Sequence, residues 1–332
     1  MKAFAGYLAA WFRNESAGRM ILTTLLVTTL IILNYTVGIE RRLFLPGPAV
    51  LSVPGFYFFY LMVLLAAWAI QLGGPGSDPV VPAEARLPLL LVLLLAPLYF
   101  ACKMVHWDLS FLAPGGSGGW HYPWNRYIPL VAQWPAKLLL LGVCLAIWRA
   151  VWRKGGGESG GEWSFVFTTK GFRAGPYLAI LAMLVPLIAL ASTQHDFLRA
   201  YPKLRSIAFM DSLNAMNSTG TLHGHAHPIW PWRLLYELSY GLDFVTIELF
   251  FRGWLVVGLS RWLGPKVILP MAAFYCSIHF GKPLGECISS FAGGLALGVL
   301  AWRTRSILGG LMVHLGIAWM MEIGGWLGNG WY

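Results

Sequence analysis

Apolar runs of about twenty residues recur along nearly the whole of this 332-residue chain. A bilayer core of roughly 30 Å takes about 20 helical residues to cross. It offers no water to backbone N–H and C=O groups, so a run of that kind is restricted to a helix that closes its own hydrogen bonds. On that ruler the expected spans cover approximately residues 20–38, 50–72, 87–105, 128–149, 176–192, 234–259, 266–281, 284–302 and 307–327. The expected fold is all-α, a polytopic transmembrane helical bundle of about nine spans.

Charge supports that class and excludes others. Only 11% of the residues are charged against 57% hydrophobic, whereas a soluble domain carries about 25% charged residues. The net charge of +10 is scattered between the apolar runs. Tracking a phosphate backbone needs a basic stripe, so nucleic acid is not an expected partner. The basic residues read instead as topology determinants. With the N-terminus inside, thirteen fall on one side and nine on the other, which favours a cytoplasmic N-terminus and a multi-pass protein of the cell's inner (plasma) membrane. No cleavable leader is expected, because the first nineteen residues lack a basic start, a compact apolar middle and a small-residue cleavage site. Ala3 to Phe12 looks like a short interfacial helix. Cys102, Cys144, Cys276 and Cys287 form no C-x-x-C pair, so no disulfide framework or zinc knuckle is readable.

Near residue 155 the run Gly155-Gly156-Gly157-Glu158-Ser159-Gly160-Gly161 reads as a flexible linker. It divides an accessory N-terminal helical domain, residues 1–154, from a segment 155–232 holding a linker, one span and a long loop, and from a C-terminal domain over 233–332. The loop over 193–232 is too long for a simple connection and suggests a lid or a partner surface. The chemistry, if any, belongs to the C-terminal part, where the ionisable residues inside apolar runs are found.

In the sixth run, Glu248 and Arg252 stand four residues apart, on one helical face with the acid toward the N-terminus. A charge at mid-bilayer costs about 2.5–3.5 kcal/mol on insertion scales, so such residues usually face one another or a cavity. Taken alone, the pair is better read as a self-neutralising buried ion pair than as catalytic machinery. Its company shifts the balance, since His279 and His314 follow in later apolar runs. Counted at about 1.5 Å per residue from the nearest flanking base, Glu248 lies roughly 20 Å from Arg261, His279 roughly 20 Å from Lys266 and His314 roughly 14 Å from Arg305. One carboxylate and two imidazoles at compatible depth are the groups that activate a water and steady an oxyanion. Equally, Glu248, His279 and His314 would supply three ligands of an open divalent zinc site, although no H-E-x-x-H motif is present. A lone intramembrane histidine, by contrast, more often serves helix packing.

These residues resemble the CAAX-prenyl-protease and bacteriocin-processing group (CPBP, or Abi) of intramembrane endopeptidases. The family pattern is Glu-Glu-x-x-x-Arg on one helix, Phe-x-x-x-His on the next and His-x-x-x-Asn or Asp on a later one. The matching stretches are Ile247 to Gly253, Tyr275 to His279 and His314 to Ala318, with the small-residue run Gly293 to Gly298 between the last two. The resemblance covers roughly residues 233–328. It implies an intramembrane endopeptidase that cleaves a peptide bond of a membrane-associated or lipidated substrate, with membrane lipid and a hydrophobic or lipidated protein or peptide as partners. In that reading Glu248, Arg252, His279 and His314 are the catalytic residues. Glu248, or else Asp243 one turn earlier, polarises a water held by His279, His314 stabilises the oxyanion and Arg252 keeps Glu248 ionised. The chain departs from the pattern at Ile247, where the family has its first glutamate, and at Ala318, where it has Asn or Asp.

Two other function classes fit the same residues. A catalytically impaired pseudoprotease or membrane scaffold would keep the fold to bind hydrophobic partner segments, and the two departures favour it. A proton-coupled transporter would use the buried Glu, Arg and His as a relay, but the halves of the chain show no paired broken spans. Elsewhere, His223, His225 and His227 would share one face of an extended loop, where solvated glycine-loosened loop is the better reading. Glu237, Glu286 and Glu322 stand near expected helix ends and are assigned interfacial water and no catalytic role.

Overall fold

The computed structural model describes residues 2–73, 81–113, 124–154, 167–169, 172–203 and 230–330. The glycine-rich linker, most of the long loop and its three histidines lie outside the described residues. Within them the regular structure is helical throughout. In chain order the helices are α1 Lys2–Asn14, α2 Ala17–Val37, α3 Ile39–Leu43, α4 Val53–Gly73, α5 Ala83–Met104, α6 Trp124–Lys154, α7 Ala174–Ala191, α8 His195–Ala200 and α9 Trp230–Glu248. After α9 the chain continues as a π-helix over Leu249–Gly258, followed by α10 Ser260–Leu263, α11 Ile268–Ser277, α12 Leu284–Thr304 and α13 Leu308–Gly328.

Seven of these stretches are long and apolar enough to cross a bilayer: those of α2, α4, α5, α6, α7, α12 and α13. The protein is an integral membrane protein. The sixth and seventh expected spans differ from the rest. The sixth changes from α- to π-helix at its middle, and the seventh is a ten-residue helix. Its start is set by Gly264, whose φ of +55° ends the preceding turn, and by Pro265 at the head of a short 3-10 turn. Large apolar side chains such as Leu139, Met62 and Leu190 stay exposed on their helices, as lipid-facing side chains do.

The chain forms two compact units that interleave along the sequence. The first holds Met1–His106, Leu140–Ala179 and Ile247–Met312, and the second holds Trp107–Leu139, Ile180–Thr246 and Val313–Tyr332. Lipid is as apolar as leucine, so helix association inside a bilayer depends on close van der Waals fit rather than on escape from water. The first unit shows this in its aromatic centre, where Tyr60, Phe100, Phe250, Phe251 and Phe274 meet ring against ring. α12 comes close to α11 at Gly298, where a Cβ would lie 2.5 Å from Met271 Cε. Trp11 of α1 is buried in this core while Tyr7 and Phe12 are exposed, so α1 is tied to the unit through Trp11. The four cysteines are free thiols, with Cys276 donating to the Cys287 carbonyl at 3.4 Å.

The second unit has its own aromatic centre in Tyr127, Trp134, Tyr236 and Tyr240, and Tyr127 donates its hydroxyl to the Trp232 carbonyl at 2.6 Å. Glu322 is expected from sequence to reach interfacial water. It is buried instead, and both carboxylate oxygens accept the Lys203 backbone N–H at 2.9 Å.

Candidate active site

Glu248 is the last residue of α9, and Arg252 sits in the π-helical turn that follows. Arg252 Nη1 lies 3.1 Å from Glu248 Oε1, and both side chains are fully buried. Two charges removed from water are tolerated only when they compensate each other closely. π-Helical turns are rare and often mark functional sites, because i→i+5 bonding widens the helix. Here the widened stretch is also tightly packed, since Phe250 through Val257 are buried without interruption.

The guanidinium has a second contact. Arg252 Cζ stands 4.3 Å from the ring centroid of Tyr275 on α11, a cation–π arrangement that strengthens where water is excluded. Phe251 meets the same ring at 5.0 Å, edge to face. The Tyr275 ring also meets the His279 imidazole at 4.6 Å. His279 lies in the turn just past α11, half-buried, with Nδ1 2.8 Å from the Tyr275 carbonyl oxygen. A carbonyl can only accept, so Nδ1 carries the proton and donates it. In the neutral ring this makes Nε2 the basic nitrogen, the atom that can hold or deprotonate a water. Glu248, Arg252, Tyr275 and His279 thus form one connected series inside the first unit.

A second carboxylate reaches the His279 turn. Glu40 of α3 presses its carboxylate against Gly281, whose φ is +82°, and a Cβ there would lie 3.0 Å from Glu40 Cδ. Burial raises the carboxyl of Glu40 above the usual carboxylate range, and neighbouring Arg41 opposes that shift.

The remaining candidates are placed as follows. Ile247 is buried in the apolar core of the first unit, so an aliphatic side chain fills the position of the family's first glutamate. His314 belongs to the second unit, with its ring edge-on to Phe244 at 4.9 Å. Ala318 is buried in the same unit and brings no hydrogen-bonding group. Asp243 also falls in the second unit, beside Tyr240. Of the candidate zinc set, Glu248 and His279 fall in the first unit and His314 in the second. Among the described residues no three or more His, Cys, Asp or Glu are grouped to hold a metal, and one oxygen of Glu248 is engaged by Arg252.

Sequence reasoning had not found Tyr275 as the link between Arg252 and His279, nor Gly310, whose bare Cα faces the Glu248 carboxylate. The Tyr275 to His279 spacing, four residues on one helical face, was the available signal for the first. For the second it was the Gly309-Gly310 pair ahead of His314.

Residues 221–320 match the family model described as Rce1-like, type II CAAX prenyl endopeptidase Rce1-like. That segment is similar to this family. The match contains Glu248, Arg252, Tyr275, His279 and His314, and it agrees with the CPBP resemblance read from the motifs. It supports a CAAX-type intramembrane endopeptidase in general terms. No curated protein and no solved structure matches the chain.

Proposed function

We propose that this protein is an intramembrane endopeptidase that hydrolyses a peptide bond of a lipidated or otherwise membrane-associated substrate. The observation that carries the reading is the buried Glu248–Arg252 pair joined through the Tyr275 ring to His279, in a segment that matches the Rce1-like model. Arg252 compensates the buried Glu248 carboxylate in a site with little solvent. The carboxylate takes a proton from water, His279 Nε2 holds that water, and the hydroxide adds to the scissile carbonyl. Collapse of the tetrahedral intermediate then returns the proton to the leaving amine. His314 enters the proposal through the family pattern, as oxyanion stabiliser. The membrane is proposed to be the cell's inner membrane, with the N-terminus cytoplasmic.

One observation favours a second reading. Ile247 and Ala318 are both buried without a polar atom where the family carries one, and a single oxyanion donor is worth about 100- to 1000-fold in rate. A pseudoprotease that binds hydrophobic segments would retain the fold with those losses. Purified protein given a prenylated peptide separates the two. Turnover that falls at least 100-fold in Glu248→Gln and in His279→Ala supports the enzyme. Saturable peptide binding with no cleavage in the unmodified protein supports the pseudoprotease. His314→Ala with unchanged turnover removes that residue from the mechanism.

A further inference from the structure

We infer that Gly310 is a positioning residue for Glu248; this rests on the proposed catalytic role of that acid. A Cβ at Gly310 would lie 2.4 Å from Glu248 Oε2, 3.2 Å from Cδ and 3.8 Å from Oε1. Non-bonded atoms settle at roughly 3.5–4.0 Å. The carboxylate therefore rests directly on the backbone of α13, in space that any side chain at residue 310 would occupy.

The acid is confined from both sides. Oε1 is 3.1 Å from Arg252 Nη1, and that guanidinium lies over the Tyr275 ring. Oε2 is the oxygen nearest Gly310. The backbone at Gly310 has little room to retreat. At neighbouring Gly309 a Cβ would lie 1.9 Å from Tyr177 Cζ, so the ring of α7 fills that notch. Ile307, one turn earlier, is fully buried and its carbonyl accepts the Leu311 N–H at 2.8 Å. A methyl group at 310 has one movable neighbour, the carboxylate, and moves it off the guanidinium or turns it from the water it activates.

The consequence is kinetic rather than a loss of substrate affinity. Misplacing a reacting group by about 1 Å costs on the order of 100-fold in rate. In the purified protein with a prenylated peptide, Gly310→Ala is expected to lower kcat by about 100-fold with KM within about twofold. Shortening the acid by one methylene makes room for the added methyl. The double variant Gly310→Ala with Glu248→Asp is therefore expected to recover at least about tenfold of the kcat lost in Gly310→Ala. A purely structural role for Gly310 predicts no such rescue.

Thermal unfolding in detergent accompanies each assay. Where Gly310→Ala alone fails to fold, the double variant decides: a folded double variant supports the inference, and an unfolded one overturns it. Gly310→Ala with unaltered kcat overturns the positioning role while a dead Glu248→Gln keeps the catalytic reading intact. Glu248→Gln with unaltered turnover sinks the catalytic reading itself.

Discussion

Two buried glutamates, one in each unit, are held in opposite ways. Glu248 faces a guanidinium on its own helical segment and the bare Cα of Gly310. Both oxygens of Glu322 accept the backbone N–H of Lys203, which ties the chain just past α8 to α13. The first arrangement sets a carboxylate against a guanidinium that lies over the Tyr275 ring, which in turn meets an imidazole. The second uses a carboxylate as a clamp. Burial alone does not separate a catalytic candidate from a structural one; the identity of the donor does.

The largest effect expected from breaking this contrast comes at Arg252. Arg252→Met removes the compensating charge and leaves Glu248 buried with it missing, which costs about 3–5 kcal/mol of stability. Adding Glu248→Gln to that variant removes the stranded charge and is expected to restore most of the loss while turnover stays absent. Thermal unfolding of the three proteins in detergent measures it. An Arg252→Met protein as stable as the parent would mean that the pair is not a compensating one.

Next in size is Glu322→Ala, which takes both acceptors from the Lys203 N–H. A hydrogen bond to a charged group is worth about 1.5–3 kcal/mol, so a loss of that order is expected, with peptide turnover within about threefold of the parent. Turnover that falls with Glu322 as it does with Glu248 would erase the distinction between clamp and catalyst.

Much of this was legible before any coordinates. The apolar runs located the helices because backbone groups in a bilayer leave no other solution, and α2, α4, α5, α6, α7, α12 and α13 follow the expected ranges closely. The Glu248 and Arg252 pair was legible because four residues is a helical spacing. The π-helix was not. Its i→i+5 bonding leaves no trace in hydrophobic periodicity. Likewise Tyr275 read only as the aromatic of the Phe-x-x-x-His pattern, because its place over Arg252 is a tertiary fact. Gly310 read as one glycine among many for the same reason. Glu322 was misplaced because a position near a helix end suggested water, whereas the partner that buries it comes from a segment far away in sequence.

The smallest effect concerns Glu40, the half-buried carboxylate beside the His279 turn. Burial raises its carboxyl above the usual range. Between the ordinary carboxylate range and that raised value, the folded protein holds a proton that the unfolded chain has released. Stability linked to this group is therefore complete below the ordinary range and is lost as pH rises through the raised value. Glu40→Gln should flatten that part of the pH profile of thermal unfolding, raising Tm at neutral pH and leaving it unchanged in acid. Arg41 opposes the shift, so Arg41→Gln should carry the folded-state value higher still and extend the falling limb toward neutral pH. A profile that instead rises with pH through the carboxylate range, and loses that rise in Arg41→Gln, would show that Glu40 is held by a charge partner, as Glu248 is by Arg252, rather than pushed up by burial.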